Sequence, residues 1–168
     1  MTKLQAQPYD ISASGFYFDR LEDYQAKVVK ARNDYGDPIE EFEIQFIDGD
    51  HIDCDLAKAW RINQANIGRY FEAVDDWDDY GKQVFIIAVG EAGYRFDPET
   101  VSPADFDVNI SYVSSMRELA EQFVEEGLFG DIPGHLSIYI DVDAIARDLA
   151  FDYTETEIAG QKVIYRVG

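Results

Sequence analysis

Between Tyr70 and Gln161 the sequence sets 21 aspartates and glutamates against four basic residues, Lys82, Arg95, Arg117 and Arg147, a local balance of −17. Self-repulsion at that density weakens any compact state, repels nucleic acid and draws in a partner with a basic surface. The whole chain carries −20, beyond what solubility asks of a domain this size. Direct nucleic-acid binding is therefore excluded as a function class. The basic residues that remain gather earlier, at Lys27, Lys30, Arg32, Lys58, Arg61 and Arg69, where they read as offsets to neighbouring acids.

The acidity does not signal disorder. Hydrophobic residues make up 46% of the chain and aromatics 14%, enough apolar surface for a real core. The length of 168 residues suits one ordinary domain, or two or three very small ones that share packing. The single cysteine, Cys54, excludes an internal disulfide, and MTKLQAQPYD lacks the apolar run of a signal peptide. No stretch approaches the ~20 apolar residues of a membrane span. The expected setting is the cytoplasm, with no membrane partner.

Along the chain, the spacing predicts a strand around Ile11 to Phe18, a helix around Leu21 to Ala31 and a strand at EEFEIQFID. In that strand Phe42, Ile44 and Phe46 alternate with Glu41, Glu43 and Gln45, a period of two that gives one apolar and one acidic face. NDYGDP between helix and strand is turn chemistry. From Asp55 to Phe71, Asn63 and Asn66 interrupt a helical pattern and predict two short helices. KQVFIIAVG is a buried strand or the buried end of a helix beginning in DDWDDY, and periodicity leaves both open. SSMRELAEQFVEEG reads as a helix capped by Ser115, with Glu118 completing a capping box and Gly127 as its left-handed stop. A turn at Gly130 to Pro133 follows, then a helix to about Leu149 capped by Asp141 or Asp143. The tail predicts a β-hairpin, YTETEI and QKVIYRV about Ala159-Gly160.

Catalytic chemistry has little to stand on. DGDHIDCD lacks the ordered acids and closing Glu of a calcium loop and reads as a solvated turn. His51 and Cys54 share a zinc-like spacing, but His135 is the only other imidazole and no second thiol exists. GEAG at Gly90 to Gly93 has neither the spacing nor the lysine of a phosphate loop. No catalytic residue, metal or cofactor is expected, and the chain is read as a binding protein rather than an enzyme.

LFGDIP, LSIYID and DAIARDLAFDY resemble the C-terminal signature of ArdA antirestriction proteins, with Pro133, Tyr139, Asp141, Ala146, Arg147, Asp148 and Leu149 in register. QPYDISASGFYF, NDYGDPIEEFEIQFIDG, INQAN and VSSMRELAEQFVEEGLFGDIP resemble the proteobacterial branch of that family, so the likeness runs over essentially the whole chain. The resemblance implies an α+β fold, an elongated chain of three small domains: mixed α/β over 1–60, helical over 61–104 and mixed α/β over 105–168. It favours the helix at KQVFIIAVG. It also implies a homodimer formed through the last domain, around Leu128, Pro133, Leu136, Tyr139, Ile140, Asp141, Arg147, Asp148 and Leu149. The implied function is antirestriction on behalf of mobile genetic elements. An acidic DNA mimic occupies the DNA-binding groove of a type I restriction-modification enzyme, at its methyltransferase core, and blocks DNA binding and cleavage, with the block of modification left open. The sequence departs from the family's aromatic positions at Val142 and Ile145, which stay apolar. The rival reading is an acidic adaptor for another basic DNA-binding protein, such as a nucleoid protein or a CRISPR effector.

Elementary spacing suits mimicry. Duplex DNA carries one negative charge per about 1.7 Å, so a dimer of this chain matches roughly 20 base pairs. Carboxylates two apart on a strand lie ~6.6 Å from each other, and those three or four apart on a helix about 5 to 6 Å. The expected ladder comprises Glu72, Asp75, Asp76, Asp78 and Asp79, then Asp105 and Asp107, then Glu118, Glu121, Glu125 and Glu126.

Overall fold

The structure, a computed structural model, describes residues 1–168. It is mixed α/β with two small antiparallel sheets, and its contacts divide it into two compact units, Met1–Phe106 and Asp107–Gly168.

In the first unit the strands β1 (Lys3–Pro8), β2 (Phe16–Phe18) and β3 (Phe42–Asp48) pair in the order β2-β1-β3, with Leu4 opposite Phe18 and Phe46 and Ala6 opposite Phe16 and Ile44. Leu4, Ala6, Phe18, Phe42 and Ile44 are buried while Glu43 and Gln45 face water, the alternation expected of a sheet covered on one face. The expected long strand over Ile11 to Phe18 is mostly absent. Asp10 accepts hydrogen bonds from the Ser12 backbone N–H and hydroxyl at 2.8 and 2.7 Å, a local turn that competes with strand pairing and leaves Ile11 fully exposed. The central strand is β1 instead. At Gly15 a Cβ would lie 2.6 Å from the Ala6 carbonyl oxygen, so only glycine fits beside that strand.

Helix α1 (Leu21–Val28) lays Tyr24 against Phe16 and Phe18 at ring distances of 5.9 and 5.0 Å. Helices α2 (His51–Trp60) and α3 (Ile67–Asp76) are the two short helices expected, but α2 begins earlier. The segment read as a solvated turn is its first part, and Asp53 within it is only 4% exposed. Between the two helices Asn63 Oδ1 accepts from Ala65 N–H and Asn66 Oδ1 from Asn63 N–H, at 2.9 and 2.8 Å, which ends one helix and starts the next. KQVFIIAVG is helical: α4 (Asp79–Phe85) continues as a π-helical segment over Ile86–Glu91. Its run of buried apolar residues packs against Trp60, whose ring lies 4.9 Å from Phe85, 5.3 Å from Phe96 and 5.6 Å from Trp77. Each large apolar side chain so buried contributes about 1.5–3 kcal/mol.

The second unit pairs β4 (Val108–Ser111), β5 (Thr154–Ile158) and β6 (Gln161–Val167) in the order β4-β6-β5. The β5–β6 hairpin turns on Ala159 and Gly160 at φ 52° and 80°, a pair of positive values suited to the twist of tight hairpins. Helix α5 (Met116–Glu125) starts at Ser115, whose side chain accepts from Glu118 N–H, and Gly127 at φ 76° follows its end. The expected capping box is displaced by one residue, because the Glu118 carboxylate reaches Ser114 rather than Ser115. Helix α6 (Val142–Leu149) is capped by Asp141, which accepts from Ala144 N–H at 2.9 Å. Leu119 and Ala120 of α5 are fully buried, whereas no residue of α6 is.

Candidate functional site

On α3, Ile67, Tyr70 and Ala73 turn inward, which leaves Glu72, Asp75 and Asp76 exposed on the opposite side. Asp78 and Asp79 follow at the start of α4, also exposed, with Asp78 Oδ1 accepting from Gly81 N–H at 2.8 Å. Asp105 stands exposed in a short 3-10 turn and accepts from Ser102 N–H at 2.8 Å, and Asp107 is exposed just after it. On α5, Glu118, Glu121 and Glu125, with Glu126 at its end, are exposed around the buried Leu119 and Ala120.

These acids stand in unlike electrostatic settings. A helix N-terminus favours a carboxylate and a C-terminus disfavours one, by on the order of 0.3–1 kcal/mol each at the surface. Asp78, Asp79 and Glu118 sit at favoured ends. Glu118 also accepts from the Ser114 backbone N–H at 2.8 Å and from its hydroxyl at 2.7 Å, and these two bonds hold its carboxyl below the ordinary carboxylate range. Asp75, Asp76, Glu125 and Glu126 sit at disfavoured ends. The last turns of α1, α2 and α6 carry Lys27, Lys58 and Arg147, whereas α3 and α5 have no basic residue there and close on acids, as does the π-helical continuation of α4, which ends at Glu91. Stability alone gives no reason for that pattern.

Two exposed carboxylates of this set are bridged to cations that the sequence reading treated only as counter-charges. Arg69 reaches Glu72 at 2.6 Å and Glu99 at 2.9 Å. Arg117 reaches Glu121 at 3.0 Å and also Asp143 on α6. The spacings of three and four residues to Glu72 and Glu121 are readable in sequence; the second partner of each arginine is not.

The C-terminal motif residues lie on one continuous segment. Leu128, Pro133, Leu136, Tyr139, Asp141, Arg147 and Asp148 are exposed, and Ile140 and Leu149 are half-buried. A 3-10 turn over Gly134–Tyr139 presents Ile138 and Tyr139 to water, with Phe129 exposed before it and Phe151 after α6. The exposed apolar side chains of the second unit are thus concentrated along this stretch of the chain.

The first unit also holds a polar group in its interior. Lys82 Nζ meets Asp53 Oδ1 at 2.7 Å with both side chains buried, and the Thr2 hydroxyl donates to Asp53 Oδ2 at 3.0 Å. The Tyr70 hydroxyl donates to the Asp53 carbonyl at 2.8 Å, and burial, with the nearby Asp53 charge second, pushes its pKa up. Cys54 is half-buried and His51 exposed on α2, while His135 is exposed in the second unit. No group of three or more histidine, cysteine or acidic side chains is arranged to hold a metal ion. A cleft of about 430 Å³ in the first unit is lined by Asp19, Glu22, Asp50, Glu72 and Asp75, together with Thr2, Asp53 and Lys82 of the buried group. No helix is long and apolar enough to cross a membrane.

No curated protein matches the sequence. A family model described as antirestriction protein (ArdA) matches residues 19–161.

Proposed function

The chain belongs to the ArdA antirestriction family, and from that premise we propose that it is an acidic DNA mimic that occupies the DNA-binding groove of a type I restriction-modification enzyme. It performs no reaction. Its carboxylates stand where phosphates would, at the methyltransferase core, and DNA binding and cleavage are blocked by competition. The observation that carries this reading is the pair of helices, α3 and α5, that end on unneutralised acids against their own dipoles. A surface that costs stability is accounted for by a partner that rewards it, and a groove lined with lysines and arginines to hold phosphates is such a partner.

The proposal includes a homodimer formed through the second unit, because the exposed apolar segment from Leu128 to Tyr139 and the half-covered α6 need a partner of matching character, which a second copy supplies isologously. Val142 and Ile145 are half-buried on α6 and keep the apolar character such a contact uses. A division into three small domains at 60/61 and 104/105 belongs to the same proposal.

Titration of a type I methyltransferase bound to labelled DNA with this protein, at several salt concentrations, tests the mimicry. DNA is displaced at low salt, and displacement fades steeply as salt rises. Full DNA affinity in excess protein at low salt overturns the reading. Loss of DNA binding by a different basic protein under the same conditions would point to the adaptor instead.

A further inference from the structure

We infer that Arg69 and Arg117 are positioning residues of the acidic surface, each fixing two carboxylates from different elements. The inference rests on the mimic reading and deepens it. Arg69 donates from Nη1 to Glu72 Oε2 on α3 at 2.6 Å, and from Nε and Nη2 to Glu99 Oε2 at 3.1 and 2.9 Å. Glu99 lies in a turn closed by Thr100 and Val101 N–H groups donating to the Asp97 carbonyl, with Asp97 Oδ1 accepting from Glu99 N–H at 3.0 Å. The guanidinium thus ties that turn to the acidic helix. In the second unit Arg117 donates from Nε to Glu121 Oε1, one turn along α5, and from Nη1 to Asp143 Oδ1 in the first turn of α6. Each unit carries one such bridge. Both use the planar fork of arginine, whose several N–H groups address two acceptors at fixed angles; the point charge of a lysine ammonium does not reproduce that geometry.

Charge and order act in opposite directions here. As charges, both arginines subtract from the negative field that draws a basic partner. As bridges, they hold four carboxylates in fixed places, and a rigid pattern loses less side-chain freedom on binding than a mobile one. Both bridges are about half-exposed, at 42% for Arg69 and 54% for Arg117, a setting in which ion pairs add little to folding. Their consequence falls on the arrangement of the surface.

The test compares Arg69→Gln, Arg69→Lys, Arg117→Gln and Arg117→Lys with wild type in displacement of labelled DNA from a type I methyltransferase at fixed low salt. Lys30→Gln is the control, since Lys30 is exposed, has no ion-pair partner and lies outside the acidic surface. The four arginine variants each weaken displacement roughly two- to tenfold, although the glutamine variants are more negative than wild type, while Lys30→Gln displaces as well or slightly better. Hydrogen exchange supplies a readout free of the enzyme: the amides of Glu99, Thr100 and Val101 lose protection in both Arg69 variants and keep it in Lys30→Gln. Glutamine variants that displace DNA as well as or better than wild type, with lysine variants equal to it, overturn the inference while wild-type displacement leaves the mimic reading standing. Failure of the wild type to displace DNA overturns both.

Discussion

In the first unit Lys82 and Asp53 are withdrawn from water to 7% and 4% exposure, whereas in the second Ile138, Tyr139 and Phe151 stand 80%, 77% and 89% exposed. The first unit buries a charge pair and exposes apolar side chains such as Ile11 and Tyr35 at scattered positions, whereas the second gathers its exposed ones along residues 128–139 and at Phe151. Each feature is costly in isolation. The buried pair is tolerated because both Asp53 oxygens are engaged, one by Lys82 and one by Thr2, around a core rich enough in aromatics to enclose them. The smaller second unit has fewer helices to cover its sheet, and no residue of its α6 is buried. The comparison teaches that the acidic surface is common to both units while the means of completing each fold is not: internal in the first, intermolecular in the proposal for the second.

The largest expected effect breaks the first side of that contrast. Lys82→Met strands Asp53 in the interior and lowers unfolding free energy by about 3–5 kcal/mol in urea denaturation, and adding Asp53→Leu restores much of it. An unchanged urea midpoint for the single variant means that water reaches the pair in solution. Next comes the second side. Tyr139→Ala leaves urea stability at low protein concentration within about 0.5 kcal/mol but weakens the dimer by about 2 kcal/mol or more, near thirtyfold, in sedimentation. A dimer of wild-type strength in that variant moves the contact elsewhere.

A smaller effect sharpens what the units share. Asp75→Asn with Asp76→Asn relieves the clash with the α3 dipole and raises stability by roughly 0.3–1 kcal/mol per site, while displacement of DNA from the methyltransferase weakens. Stability and function then move in opposite directions, and a pair of changes in the same direction counts against the mimic. The smallest effect is at Glu118. Its carboxyl is held below the ordinary 4.5 by Ser114, so its contribution is complete above that value and disappears as pH falls through the lowered one. Protection of the Ser114 amide, which donates to Glu118, drops in that acid window in wild type, and Glu118→Gln removes that drop. The Met116 amide, which donates to the Glu155 carboxylate, keeps its own acid dependence.

Local periodicity made β3, α5 and the final hairpin legible, since alternating rings, a Ser cap with Gly127 and an Ala-Gly turn are each decided within a few residues. The central strand β1 was not legible, because KLQAQP offers only Leu4 and Ala6 as its apolar pair and owes its place to two neighbouring strands. Asp53 was misread for a related reason. Among many acids in DGDHIDCD nothing local distinguishes it, and its burial depends on Lys82, 29 residues away. For the acidic surface, residue type foretold exposure, but the arginine bridges depend on Glu99 and Asp143, which only the folded chain brings near.

Both tryptophans of the chain, Trp60 and Trp77, lie 5.6 Å apart in the aromatic cluster of the first unit. Intrinsic fluorescence excited near the indole band therefore reports on that unit and is blind to the other, where tyrosine is the only strong chromophore. Emission and far-ultraviolet dichroism that part company during denaturation would reveal two cooperative transitions where a single curve fit assumes one.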